Sequence, residues 1–178
     1  MIAHASYHWR VDSEDPANPM ARDIQMADNL HWLATHRYPD RKIIVWAASF
    51  HIVRNIQDIE APGGSVDYSD MTQMGHAAHR QLKSKLFTVG FTSFEGRAGT
   101  WFRNSWKLDK APQGTFEDIC FQAKLENAFV PLTADWLKEE QFMRPLGYTW
   151  MKSNWSENFD AILFNKTMTP STRTRNKR

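Results

Sequence analysis

The stretch KIIVWAASFHI, residues 42–52, constrains the fold of this chain most. Its first half is rich in β-branched residues and does not alternate between apolar and polar positions, which is typical of a strand buried on both faces of a sheet. Small residues at 47–49 follow, and then His51. In open α/β sheets, ligands bind beyond the carboxyl ends of the strands. We therefore expect His51 in a ligand-binding crevice; the alternative is a histidine that only hydrogen-bonds the next loop.

Size and composition indicate one globular domain. The chain has 178 residues, of which 42% are hydrophobic and 24% are charged, and a chain of this size buries roughly 70% of its unfolded surface. The chain contains eight Trp and eight Met residues, which is unusually many for its length. They suit a core that borders an apolar pocket, although they fill plain cores more often.

Charge and cysteine usage limit the partners and the compartment. The net charge is +2, and much of it comes from the last few residues, so we expect no nucleic-acid partner. The single cysteine, Cys120, cannot form an internal disulfide, and we expect it in the core. No segment has the length of a membrane span or the pattern of a signal peptide. We therefore expect a cytoplasmic protein without a membrane partner.

The chain divides into three parts. Residues 1–17 contain a polar, proline-punctuated stretch, and we expect a remnant or linker that resembles the tail of something whose front is missing. Residues 18–166 form the expected domain, and residues 167–178 a basic, disordered tail. Residues 56–69 show no helical or strand period and include a Pro-Gly-Gly break, which suggests either a lid or a disordered loop.

The predicted elements alternate in type. Helices are predicted over 20–36, 71–86 and 115–127, and further strands over 87–94, 128–132 and 159–164. A strand, a helix and another strand in succession favour a right-handed crossover to a parallel neighbour. We therefore expect an α/β fold with three layers, a mainly parallel sheet and flanking helices. We expect this unit to be a partial domain.

Polar residues on the first helix and after the second strand are candidates for the site. Arg22 and Asn29 share a line along the helix with Met26 and Leu33, and polar groups that are carried inward need partners. They bind a neighbouring loop or position a ligand. A parallel crossover would bring Glu95 to the sheet edge of His51, where a carboxylate could orient the imidazole; a glutamate in a solvated turn is the alternative.

Metal and cofactor sites are not predicted. His76 and His79 are spaced i, i+3 on a predicted helix, but a metal needs at least one more ligand and no acidic residue follows at helical spacing. The chain contains no glycine-rich phosphate motif and no nucleophile elbow. We expect no cofactor.

Several stretches resemble the carboxyl-terminal half of the erythromycin esterase family. RDIQMADNLHWL at 22–33 resembles the family pattern R-(D/E)-x-x-M-A-x-N-x-x-W, and residues 42–52 resemble K-I-(V/I)-x-W-A-H-N-x-H-(V/I). Further likenesses are the Met-Gly at 74–75, VGFT with Glu-Gly over 89–96, MRPLGY at 143–148, and FDAILF at 159–164 with Pro170. The likeness covers most of residues 20–172.

The resemblance implies a hydrolase that opens esters, in some members the macrolactone of macrolide antibiotics, with histidine-activated water and without a required metal. His51 would then position or deprotonate the water, and Arg22 would steady a carboxylate or an oxyanion. Asn29 would hold the loop, and Glu95 would orient a histidine or a hydroxyl. Ala48 and Ser49 replace the family's His-Asn, so only His51 of the histidine pair is carried over. Ser49 stays a candidate for positioning the ligand.

The resemblance also implies that other catalytic groups lie in an amino-terminal half of the family domain. We therefore expect a small-molecule ester as substrate, that half as a possible partner, and little or no activity from the isolated chain. The alternative is a decayed, non-catalytic module that binds a small molecule.

Overall fold

The computed structural model of the protein describes residues 20–99 and 104–172. The helices are α1 (Ala21–Trp32), α2 (Ser49–Ile52), α3 (Met74–Leu82) and α4 (Phe116–Gln122). The strands are β1 (Val89–Ala98), β2 (Trp106–Leu108), β3 (Asn127–Pro131), β4 (Glu140–Met143), β5 (Met151–Asn154) and β6 (Ala161–Met168). A π-helical turn, Leu33–Arg37, extends α1. The predicted helix over 20–36 therefore corresponds to α1 and this turn.

Within the described residues, the main sheet has four strands in the order β2-β1-β6-β3. β1 and β6 are parallel, whereas β2 and β3 pair antiparallel with their neighbours. β4 and β5 form a separate antiparallel pair. The predicted α/β class is confirmed, but the sheet is mixed rather than mainly parallel. Strand direction is decided by which strands become neighbours, and the sequence pattern does not encode that.

One face of the main sheet packs against α4. Thr115 caps this helix, because its Oγ1 accepts the backbone N–H of Asp118 at 3.3 Å. The ring of Phe94, in β1, stacks on Phe121 of α4 with their centroids 4.1 Å apart. Trp155, which follows β5, is buried in the same core. Capping and burial thus fix α4 against the sheet.

The predicted central strand over residues 42–46 does not form. Residues 42–48 have no regular secondary structure, and Ile44 and Trp46 are 91% and 84% exposed. No backbone hydrogen bond joins residues 42–47 to another described residue. A β-branched sequence favours an extended chain, but a strand needs a neighbour that supplies its ladder partners. No described strand pairs with this segment.

Residues 56–69 do not form a lid. Ile56, Ile59 and Tyr68 are buried in the main core, and Glu60 forms an isolated β-bridge with Lys152. Ile56 enters the core from a short 3-10 turn, Ile56–Asp58, whereas a second 3-10 turn, Pro62–Gly64, is exposed. Because such turns have neither a helical nor a strand period, the pattern of the sequence did not reveal this burial.

The expected linker over residues 1–17 and half of the expected tail, residues 173–178, lie outside the described residues. β6 continues to Met168, two residues beyond the predicted end of the domain at 166. Among the described helices, none combines the length and the apolar character that crossing a membrane would need.

Candidate functional site

Asp23, on α1, is the residue at which three helices meet. Its side chain is only 5% exposed. Its Oδ2 accepts a hydrogen bond from the backbone N–H of Met74, the first residue of α3, at 3.2 Å. A carboxylate is favoured at this position, because the first N–H groups of a helix lack partners within the helix and carry partial positive charge. Asp23 therefore caps α3 from another helix.

The same carboxylate holds His51, on α2. The Nδ1 atom of His51 lies 2.8 Å from Oδ2 and 3.1 Å from Oδ1 of Asp23. An ionised carboxylate only accepts hydrogen bonds, so Nδ1 must carry the proton that is donated. In a neutral imidazole this leaves Nε2 as the acceptor. Asp23 thus fixes both the orientation and the tautomer of His51.

Arg22 faces the other ring nitrogen of His51. Its Nη2 lies 2.9 Å from Nε2, and because a guanidinium only donates, Nε2 accepts this bond. The Nε atom of Arg22 lies 3.6 Å from Oδ1 of Asp23. The side chain of Arg22 is 43% exposed and that of His51 is 26% exposed. The cluster is therefore buried at its aspartate and open to solvent at its arginine.

The structure brings together two of the predicted site residues, Arg22 and His51, as expected from the sequence. Their chemical roles stay predictions. Ser49, the first residue of α2, is buried, and its Oγ accepts the backbone N–H of Phe91 in β1 at 3.3 Å. Ser49 therefore anchors the His51 helix to the sheet.

Asn29 does not hold the loop over residues 42–52, which corrects the prediction. Its side chain is exposed, and its Oδ1 accepts a hydrogen bond of 3.3 Å from Gln25 on the same helix. The buried line of α1 is Asp23, Ala27 and Leu30. The helix is thus rotated by one residue relative to the predicted line, which places Asn29 in solvent.

The same rotation explains why Asp23 was not among the predicted site residues. We assigned the inward polar position to its neighbour Arg22. The available signal was the acidic position that follows the arginine in the R-(D/E) pattern, which Asp23 matches.

Glu95 does not join the cluster either. It lies within β1, opposite Thr167 of β6, and is half-buried. No hydrogen bond or ion pair joins it to His51 in the described part of the chain. The prediction required a crossover from a strand at residues 42–46 to β1, and that strand does not form.

His76, on α3, serves the structure. The Nδ1 atom of His76 lies 2.8 Å from the carbonyl oxygen of Arg54, to which it donates. Within residues 20–99 and 104–172, no group of three or more His, Cys, Asp or Glu side chains is placed to hold a metal ion.

A second polar cluster is buried on the α4 side of the sheet. Oε1 of Glu117 accepts hydrogen bonds from the hydroxyl of Thr92 and, at 3.0 Å, from the backbone N–H of Arg144. Burial raises the pKa of Glu117 despite these bonds. The guanidinium of Arg144 donates to the carbonyl oxygen of Ser93 from Nε at 3.0 Å and from Nη2 at 2.9 Å. This cluster ties α4 and the residue that follows β4 to β1.

Comparison with known proteins supports the family. The profile described as erythromycin esterase matches residues 1–168. The Bacillus subtilis (strain 168) protein named "Putative hydrolase YbfO" is 24% identical over 164 residues, which cover 84% of this chain and 35% of that protein.

Two solved structures share the fold. A Bacillus cereus protein has a TM-score of 0.68 and 17% identity over 92% of this chain and 43% of its own. A succinoglycan biosynthesis protein has a TM-score of 0.62 and 19% identity, with coverages of 85% and 39%. This chain thus spans less than half the length of each of these proteins. Since the profile match extends over nearly its whole length, the chain belongs to the erythromycin esterase family.

Proposed function

We propose that this chain contributes the Asp23–His51 pair to the hydrolysis of a small-molecule ester by histidine-activated water. Membership of the family and the name of YbfO support a hydrolase. The observation that carries the proposal is the hydrogen bond between Nδ1 of His51 and the buried carboxylate of Asp23, 2.8 Å long. It leaves Nε2 as the basic nitrogen on the more exposed side of the cluster.

The proposed reaction starts with a water molecule at Nε2 of His51. Nε2 takes a proton as the water oxygen attacks the ester carbonyl, and Asp23 stabilises the imidazolium that forms. The guanidinium of Arg22 stabilises the negative charge that develops on the carbonyl oxygen. The imidazolium then returns its proton to the departing alkoxide, and the products are a carboxylic acid and an alcohol.

Arg22 must release Nε2 before water can approach, since its Nη2 occupies that nitrogen at 2.9 Å. Its side chain is 43% exposed, so it has room to swing towards a bound carbonyl. We therefore infer that substrate binding draws the guanidinium away from the imidazole. Macrolactones belong to the ester class proposed, and the replacement of the family's His-Asn by Ala48 and Ser49 bears on which esters are accepted.

The test uses p-nitrophenyl acetate and two proteins: this chain alone, and a chimera in which residues 20–172 replace the matched segment of YbfO. We expect little or no turnover by the chain alone, because other catalytic groups of the family are proposed to lie outside it. We expect turnover by the chimera that falls by at least about 100-fold with His51→Ala, the scale of a lost general base. Turnover that is unchanged by His51→Ala would refute the proposal.

A non-catalytic binding module is the second candidate, and one observation favours it. The hydroxyl of Ser49 accepts the backbone N–H of Phe91, so one of the two positions at which this chain departs from the family pattern serves the structure instead of chemistry. A chimera that hydrolyses no ester, although it folds and YbfO itself is active in the same assay, would support this candidate.

A further inference from the structure

Residues 43–46 expose an unusual amount of apolar surface. Ile44 and Trp46 are 91% and 84% exposed, and Ile43 and Val45 are 37% and 42% exposed. The outward and half-covered side chains alternate, as in an extended strand. Four large apolar side chains in succession are costly to leave in water, since burial of each contributes about 1.5–3 kcal/mol.

The backbone of the same segment also lacks partners. No hydrogen bond joins the backbone of residues 42–47 to another described backbone group. A row of free N–H and C=O groups along an extended chain is a template for an added strand. Six residues are also the usual length of a strand.

The exposed segment continues into a face of the main sheet. Trp46 contacts Phe91 edge to face, with ring centroids 5.6 Å apart. Phe91 lies opposite Leu163 of β6, and Leu163 lies opposite Phe129 of β3, which is 53% exposed. The ring of Phe87, 62% exposed, stacks on Phe129 at 6.4 Å. An apolar row therefore crosses three strands on the face opposite α4.

A cavity of about 830 Å³ lies between the segment, this sheet face and the helices α1 and α3. Its lining includes Ile44, Trp46, Phe91, Phe129 and Leu163. A small apolar ligand could fill it but would leave the N–H and C=O groups of residues 42–47 without partners. A polypeptide satisfies both requirements, because a strand supplies hydrogen bonds and its side chains cover the apolar row.

We propose that residues 42–47 and the row Phe91–Leu163–Phe129 are the docking surface for a polypeptide that supplies the remainder of an erythromycin esterase family domain. The lengths of the relatives identify this occupant. The Bacillus cereus protein superimposes on this chain with a TM-score of 0.68, but the match covers 43% of that protein. More than half of that polypeptide therefore lies outside the shared fold and is available to cover this surface. The proposal does not depend on ester hydrolysis.

The test measures hydrogen–deuterium exchange at the amides of residues 42–47. The first sample is the purified full chain alone, over a range of concentrations. It is compared with a mixture of the full chain and the part of YbfO that lies outside the 164 matched residues. The chimera of YbfO with residues 20–172 is the second sample, and it removes the need for two separate polypeptides to fold and meet. We expect fast exchange in the chain alone and exchange slowed by at least about 100-fold in the mixture or the chimera, as for hydrogen-bonded strands.

Substitutions at the surface provide the controls. Ile44→Glu with Trp46→Glu is expected to weaken the protection at least tenfold without unfolding the chain, because both side chains are almost fully exposed. Trp136→Glu, at another exposed tryptophan (46%), is expected to leave the protection of residues 42–47 unchanged. Fast exchange in a folded chimera would overturn the proposal. Slow exchange in the chain alone would also overturn it, because a second copy or the chain's own termini would then cover the surface.

Discussion

A single oxygen atom, Oδ2 of Asp23, lies 2.8 Å from Nδ1 of His51 and 3.2 Å from the backbone nitrogen of Met74. The two partners belong to different helices, α2 and α3. The carboxylate that orients the imidazole is therefore the same one that fixes α3 against α1. A substitution of Asp23 therefore affects both the orientation of the imidazole and the packing of the helices. The two effects can be measured separately.

Asp23→Ala is expected to lower the free energy of unfolding by about 1–3 kcal/mol, because the buried N–H of Met74 and Nδ1 of His51 both lose their acceptor. Urea denaturation measures this loss. Nitrogen NMR of His51 is expected to show a shift of the tautomer away from the form protonated at Nδ1.

Asp28→Ala is the matched control for this prediction. Asp28 also links α1 to α3, since its Oδ1 accepts a hydrogen bond of 2.7 Å from Gln81, but the pair is exposed. Its loss is expected to cost at most about 0.5 kcal/mol. Equal losses for the two variants would contradict the role given to Asp23.

Gly75→Ala is expected to displace the helix that carries His51. A Cβ atom at Gly75 would lie 2.0 Å from the carbonyl oxygen of Ile52 and 2.6 Å from that of Val53. These are backbone atoms that no rotamer change can move, so we expect a loss of about 3 kcal/mol or more in the free energy of unfolding.

Gly90→Ala serves as the comparison for Gly75→Ala. Its nearest contact would be the flexible Cδ1 atom of Ile162, at 2.8 Å, so a smaller loss is expected. Urea denaturation of both variants checks the order. A loss at Gly75 that is no larger than the loss at Gly90 would show that α3 and the end of α2 are not in tight contact.

Glu117 should make stability depend on pH. Burial raises its pKa in the folded protein above the ordinary value of 4.5. The unfolded chain therefore releases this proton at a lower pH than the folded chain, and stability is lost as the pH rises above 4.5. Glu117→Gln removes the ionisable group but keeps an oxygen that can accept from Thr92.

As the pH rises from about 4.5 to 7, the free energy of unfolding of the Glu117→Gln variant is therefore expected to increase relative to that of the unchanged protein. Urea denaturation at several pH values measures the difference between the two proteins. A difference that stays constant over this range would mean that Glu117 ionises in the folded protein as it does in the unfolded chain.

Cys120 should be unreactive in the folded protein. Burial, together with the nearby Glu117, raises the pKa of its thiol to about 12. At pH 8 only about 10⁻⁴ of the thiol is then ionised, and the thiolate is the reactive form. We expect a disulfide reagent such as DTNB to react at least about 10³-fold more slowly with the folded protein than with the chain in denaturant. Comparable rates would contradict the buried position.

Local patterns in the sequence predicted the elements whose stability is local. The apolar period predicted α1, and the Thr115 cap predicted the start of α4. The α/β class followed from the order of the elements, and the motifs identified the family. The meeting of Arg22 and His51 was also expected, because an inward-facing Arg22 would bind the loop that carries His51 or position a ligand beside it.

Only the tertiary structure decided which face of α1 is buried, and therefore that Asp23 rather than Asn29 turns inward. A shift of the buried line by one residue leaves the helical period unchanged, so packing against α3 determines which line is buried. The tertiary structure also decided that residues 42–48 form no strand. The sequence determines how strongly a segment favours the extended conformation. Whether it becomes a strand depends on a neighbouring segment that supplies its hydrogen-bond partners.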